Sequence, residues 1–354
     1  MRPAHTYIVA GRQFQAGVSL VELMISITIG LLILSAMATL FANQSRSRAE
    51  LDKSTRMIDN GRYALEVLSE NLRVAGFYGE RDIAPAGAMN DPCTTTPATP
   101  VLAELEGALG LHVAGYDAAT ASSTIASSPC GIAAAELKAG SDILVLRRVD
   151  TSDPVARDDA TGGVHYIQVS NCQFDTTSFI LDSVVANFNL AQRNCTAANT
   201  SPFANVRRLV VQTYFVSPDN IAGDGIPTLK RMELDTGAFV TTPLVEGIEY
   251  MQVEYGVDGD SDGDGVLDMA VFDGVADSYV EACPDAACWQ AVVSVKLNII
   301  ARNTEPTAGY ADTKTYFEDE TWEYTPSGSD RNYKRHAYTQ VVRLVNPSGR
   351  RETP

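Results

Sequence analysis

Histidine is scarce in this chain. Among 354 residues there are four, His5, His112, His165 and His336. No Cys-x-x-Cys pair occurs among the six cysteines, so a structural zinc site lacks its usual donors. Gly-x-Ser-x-Gly, P-loop and His-Glu-x-x-His signatures are absent too, which removes the common hydrolase, nucleotide and metalloprotease centres. No catalysis and no small-molecule substrate are expected. His165 and His336 fall in or near strand-like segments, where an exposed or core-edge position explains them better than general-base work. Basic residues are outnumbered by acids, 27 to 44, giving a net charge of −17. A surface of that sign disfavours nucleic acid and anionic lipid. Proline is missing from 18 to 75, so no strong helix breaker stands there. Gly30 is a milder candidate, at about 1 kcal/mol.

What the chain does have is a long apolar run. Gly17-Val18-Ser19-Leu20-Val21-Glu22 leads into an uncharged stretch from Leu23 to Ala42. That stretch has the length to span a bilayer. An isolated carboxylate carried to the bilayer centre costs roughly 2.5–3.5 kcal/mol, so Glu22 calls for a partner. A cleavable secretory signal would place small residues after its apolar core, whereas the candidate cut at Gly17 precedes it. A simple anchor offers no reason for Glu22. The pattern resembles the signal of type IV prepilins. The resemblance implies that residues 1–17 are a leader, with Arg2 and Arg12 keeping it cytoplasmic. It implies that a prepilin peptidase cuts after Gly17 and methylates the amine of Val18. It also implies that Glu22 pairs with such an amine in an assembled filament. The leader is long for the class, and Val18 replaces its commonest residue. Loss of residues 1–17 leaves 25 bases against 44 acids, a net charge of −19.

The helix is expected to continue past the membrane. Leu51, Ile58, Leu65 and Leu72 recur every seven residues, with Leu68 and Ala75 beside them, and Gly76 reads as the C-cap. Asp52/Arg56 and Glu70/Arg73 can pair along its polar side. The helical segment is expected over 18–76, transmembrane over 18–42, and its helix from 18 to 75 would be roughly 87 Å long. Its second half would be covered by a globular domain. A homomeric coiled coil is the alternative, weakened by Ser54 and Gly61 at core-type positions.

Length suggests about two domains, and a hydrophobic content of 45% supports a packed core. Residues 77–354 are expected to form one β-rich globular domain. Residues 80–140, rich in Ala, Thr, Ser, Pro and Gly, read as a loop-rich excursion with one short helix. Strand signals follow at 142–147, 164–170, 208–216, 228–234, 247–255, 292–301 and 338–345. One long helix packed on such a series predicts an α+β fold with a mainly antiparallel sheet. Tyr214, Phe215, Tyr250, Tyr255 and Trp289 lie at strand positions and read as core.

The segments Leu244–Glu249, Val253–Asp258, Trp289 with Val292–Val295, and Val341–Leu344 resemble the PilW-type minor pilins of type IV pili. The resemblance covers most of 17–80 and 205–346. It implies a structural, assembly-priming subunit held in the inner membrane of a Gram-negative cell, its C-terminal domain periplasmic, before it enters the pilus at or near the tip. The implied partners are other minor and major pilins, the prepilin peptidase, the inner-membrane assembly platform and a tip adhesin. The alternatives are a large pseudopilin of a type II secretion system and a membrane-anchored periplasmic enzyme.

Six cysteines in an exported chain suggest disulfides, and proximity favours Cys93–Cys130, Cys172–Cys195 and Cys283–Cys288. Free buried thiols are the alternative. Asp260-Ser261-Asp262-Gly263-Asp264-Gly265-Val266-Leu267-Asp268 has the spacing of an EF-hand-like loop. Asp260, Asp262, Asp264, the Val266 carbonyl and Asp268 are the expected calcium ligands. Position twelve is Val271 rather than a bidentate Glu, so Asp258, Asp273 or Asp277 is available to complete the shell. A solvated acidic turn is the alternative.

Overall fold

The structure is a computed structural model that describes residues 17–80, 102–120, 122–123, 125, 129–197, 202–259 and 272–352. The chain divides into two units, Met1–Asp52 and Lys53–Pro354. Helix α1, Leu20–Arg73, contributes to both. With no proline to interrupt it, α1 runs for 54 residues. Gly76 then ends the segment at φ 71, a left-handed value that glycine adopts without penalty, and its N–H donates to the Arg147 carbonyl at 2.9 Å.

Two antiparallel sheets make the body of the second unit. The first has seven strands: β1 Val113–Tyr116, β2 Ile143–Val149, β3 Tyr166–Val169, β4 Phe179–Asp182, β5 Val206–Ser217, β6 Thr228–Asp235 and β7 Ala238–Glu246. The order is β1-β2-β5-β3-β4, and the β6–β7 hairpin joins through β5. The second sheet has four strands in the order β11-β10-β8-β9, with β8 Ile248–Val257, β9 Ser278–Val280, β10 Val292–Arg302 and β11 Arg335–Arg343. Short helices α2 Leu102–Gly107, α3 Ala286–Ala291 and α4 Val345–Gly349 complete it.

Strand periodicity explains the layering. Along β2, Leu144 and Leu146 enter one core while Ile143, Val145 and Val149 enter another. Along β5, Tyr214 and Val216 join the first core, and Leu209, Val211 and Phe215 the second. The central strands therefore bury both faces, which is why they read as continuous apolar runs. The first core also takes in Leu65, Leu68 and Leu72 of α1 and Met251, Val253 and Tyr255 of β8. The expected aromatics Tyr214, Phe215, Tyr250, Tyr255 and Trp289 are all buried.

The covered stripe of α1 differs from the heptad reading. Met57, Gly61, Ala64, Leu65, Leu68, Ser69 and Leu72 are buried, Ile58 is half-buried, and Leu51 is exposed. The drift of a straight α-helix, about 20° per heptad, is too small to take Leu51 off the face; Leu51 instead precedes Met57, the first buried residue of α1.

All seven expected strands are present, but β1, β4, β7 and β9 were not expected. β1 and β4 are four residues each. β7 is largely exposed and contains Pro243, opposite a register irregularity in β6, as suits an edge strand.

Candidate functional site

The helix start is built by its own sequence. The Glu22 carboxylate accepts the Ser19 N–H at 3.0 Å, and Ser19 Oγ accepts the Val21 N–H at 3.3 Å. Ser19-x-x-Glu22 is thus a capping box, with the acid over the positive end of the helix dipole. The expectation that a lone anchor has no use for Glu22 is therefore corrected: Glu22 caps its own helix. The Ser-x-x-Glu spacing was the signal that would have revealed it. Val18 is 72% exposed, and the apolar side chains from Leu20 to Phe41 are also exposed. Ser26, Thr28 and Thr39 donate their hydroxyls to the carbonyls of Glu22, Met24 and Ser35, four residues earlier. Polar groups satisfied within the helix can face lipid. α1 is long and apolar enough to cross a membrane.

Asp260, Asp262, Asp264, Val266 and Asp268 lie outside the described residues. The base of their loop is described. Asp258, fully buried, accepts the N–H groups of Asp273 and Gly274 at 3.2 and 3.0 Å. It also receives Arg351 Nη1 at 3.3 Å. Arg351 donates onward to the Gln290 and Ala291 carbonyls and stacks on Phe272. Asp277 accepts the Gly259 N–H at 2.8 Å, and Asp273 the Val275 N–H at 2.9 Å. The three flanking aspartates named above thus each accept backbone N–H groups at the loop ends. Among the described residues, no cluster of His, Cys, Asp and Glu is arranged to hold a metal.

Disulfides join Cys172 to Cys195 and Cys283 to Cys288. Cys130 is also disulfide-bonded, while Cys93 lies outside the described residues. The second bridge ties Cys283, ahead of α3, to Cys288 within it, and Asp285 caps the helix by accepting the Cys288 N–H at 2.9 Å.

The histidine that matters structurally is His112. It is buried, its Nε2 lies 2.8 Å from the Val292 carbonyl, and burial pulls its pKa down to about 4, with nearby Arg350 and Arg351 adding to the fall. His165 is buried immediately before β3 and His336 is exposed.

Sequence reading missed a buried ion network. Glu249 is inaccessible and receives Arg335 Nη2 at 3.0 Å and Arg302 Nη1 at 3.2 Å. Arg335 also reaches Asp312 at 3.3 Å, and the Tyr316 hydroxyl donates to Asp312 at 2.8 Å. This is a fixed structural knot rather than a reaction centre, since every carboxylate is already bound by a guanidinium.

Residues 213–346 match the family described as Type IV Pilus-assembly protein W (PilW), and residues 12–38 match the prokaryotic N-terminal methylation motif. Among solved structures, a type IV-like pilin from Thermus thermophilus is similar at 9% identity, over 82% of this chain and 97% of that one, with a TM-score of 0.35. No curated protein matches the sequence.

Proposed function

This chain is a type IV pilin of the PilW type, and we propose that it is a minor subunit that primes pilus assembly. Pilins interact with other pilus components and are anchored by an apolar N-terminal helix. In our reading a prepilin peptidase cuts after Gly17 and methylates Val18. The first half of α1 then holds the subunit in the inner membrane of a Gram-negative cell, with the C-terminal domain in the periplasm. The assembly platform extracts it into a complex with other minor pilins, at the tip with an adhesin. No catalytic role is assigned, because pilin domains are structural.

One observation carries this reading: a methylation motif opens an exposed apolar helix in the same chain as a PilW-family domain. A type II pseudopilin would share the first part but not the second. The experiment is affinity capture of the full chain from membranes, with mass spectrometry of the bait and its partners. Co-captured minor pilins and an N-methyl-valine terminus support the reading. Capture of secretion-system subunits instead would reject it.

We also infer that Asp260, Asp262, Asp264, Val266 and Asp268 bind calcium. The spacing supports this, because alternate carboxylates repel one another unless a hard cation neutralises them. Asp258, Asp273 and Asp277 accept backbone N–H groups at the two ends of the loop, which supports a defined loop geometry.

A further inference from the structure

A cleft of about 300 Å³ opens where β3 meets β5. It lies outside both family-matched segments, so nothing in the pilin reading accounts for it. Ile167 and Val169 of β3 supply apolar lining. Glu80, Asn171, Arg193, Asn205 and Arg207 supply polar lining. The side chains of Glu80, Asn171, Arg193 and Asn205 make no hydrogen bond or ion pair with the described residues. Four unspent polar groups thus converge on one opening.

The frame around them is fixed. The Cys172–Cys195 bridge closes the segment that carries Arg193, and Asn171 immediately precedes its first cysteine. Gln168, wholly buried, donates to the Ala204 carbonyl at 2.7 Å and accepts the Leu190 N–H at 2.9 Å. Gln192 donates to the Phe203 carbonyl at 3.0 Å. Arg207 is tied to the Asp150 carbonyl at 3.1 Å and lies over the Phe77 ring. A preorganised opening loses little entropy when it is filled.

The donor and acceptor mixture selects the ligand. An apolar guest would leave the amides and charges unpaired, which costs about 1–3 kcal/mol for each group that becomes buried. An anion would meet Glu80 and the field of a chain with net charge −17. A cation would meet Arg193 and Arg207. Neutral hydroxyls both donate and accept, so they suit guanidinium, carboxylate and amide together. Aliphatic C–H faces suit Ile167 and Val169. We propose that this cleft binds a neutral saccharide. The proposal stands independently of the pilus assignment.

The test uses the full chain in an amphipol, since sugar-based detergents would compete. It is applied to a printed array of neutral and acidic glycans, and hits are titrated with the free oligosaccharide. Neutral glycans should bind. Asn171→Ala combined with Arg193→Ala should weaken binding by at least about tenfold, or 1.4 kcal/mol, without changing the melting temperature. Asn205→Ala repeats the test at a second position if the double variant melts early. No glycan bound, binding confined to acidic glycans, or binding indifferent to these substitutions would each overturn the proposal.

Discussion

Tyr338 of β11 lies across Gly61 of α1, and its hydroxyl donates to the Ile58 carbonyl at 3.2 Å. A Cβ at position 61 would sit 2.3 Å from the Tyr338 ring. Two effects of Gly61→Ala oppose each other. The helix gains up to about 1 kcal/mol by losing a glycine. Forcing the ring aside costs about 1–3 kcal/mol. The second should win, so Gly61→Ala should lower stability, by about 1 kcal/mol in denaturant titration. In a Tyr338→Ala background the sign should reverse, because the clash is gone and the propensity gain remains. Equal effects in both backgrounds would show that the contact does not set the helix position.

His112 gives a pH dependence with a definite sign. Its pKa falls from 6.5 in the unfolded chain to about 4 in the folded one. Between these values the unfolded chain binds the extra proton and the native state does not, so stability is lost as pH falls from 6.5 towards 4. The full effect is about 3 kcal/mol. Asp142 acts in the opposite sense, because burial raises its pKa and the native state then binds the proton more readily. Comparing wild type with His112→Gln isolates the histidine. The variant should lose less stability than wild type between pH 7 and 4.5, and parallel curves would contradict the assignment.

Truncating one member of the Glu249 knot should be strongly destabilising. Glu249→Ala leaves Arg302 and Arg335 facing each other with Asp312 as their remaining buried counter-charge. Breaking a buried pair in this way costs about 3–5 kcal/mol. Replacing Lys296, whose pairing with Glu254 is partly exposed, should cost under about 1 kcal/mol. A urea titration that ranked the two alike would refute the burial argument.

The contrast between these pairs shows what the sequence could reveal. The seven strong strands were legible because apolar alternation is local. The pairing of Cys283 with Cys288, five residues apart, was local as well. Glu249 stands between Ile248 and Tyr250 in sequence, and nothing in that stretch names its partners. It is buried with Arg302 of the adjacent β10 and Arg335 of β11, one strand further, 53 and 86 residues away. Registration between distant strands is not encoded in any one segment's pattern. The cleft near Asn171 was hidden for the same reason, since it gathers residues from Tyr78 to Arg207.

The calcium inference has a simple thermodynamic test. An ion that binds the native loop raises stability by mass action, by about 2.7 kcal/mol at a hundredfold excess over its dissociation constant. Melting of the full chain should therefore rise with calcium and fall with chelator. Asp262→Asn together with Asp264→Asn should abolish the difference and raise the melting temperature in chelator, because repulsion is relieved. Identical melts of wild type in calcium and chelator, with no heat of binding, would leave an acidic turn.

Glu22 now has two possible duties, and one pair of substitutions separates them. Its carboxylate caps α1 through the Ser19 N–H. In the proposed assembly it also meets the amine of a neighbouring subunit. Gln at the same position can still accept the Ser19 N–H, since the capping box tolerates Glu or Gln. Gln cannot neutralise an ammonium group. If capping alone mattered, Glu22→Gln should assemble like wild type, and Glu22→Ala should fail by fraying the helix start, at a cost of about 0.5–2 kcal/mol. If charge pairing matters, both should insert into the membrane and both should lose co-captured pilins. We expect the second result, because an ion pair formed away from water is worth more than one exposed cap. Normal pili and normal partner recovery with Glu22→Gln would rule out a charge-dependent role.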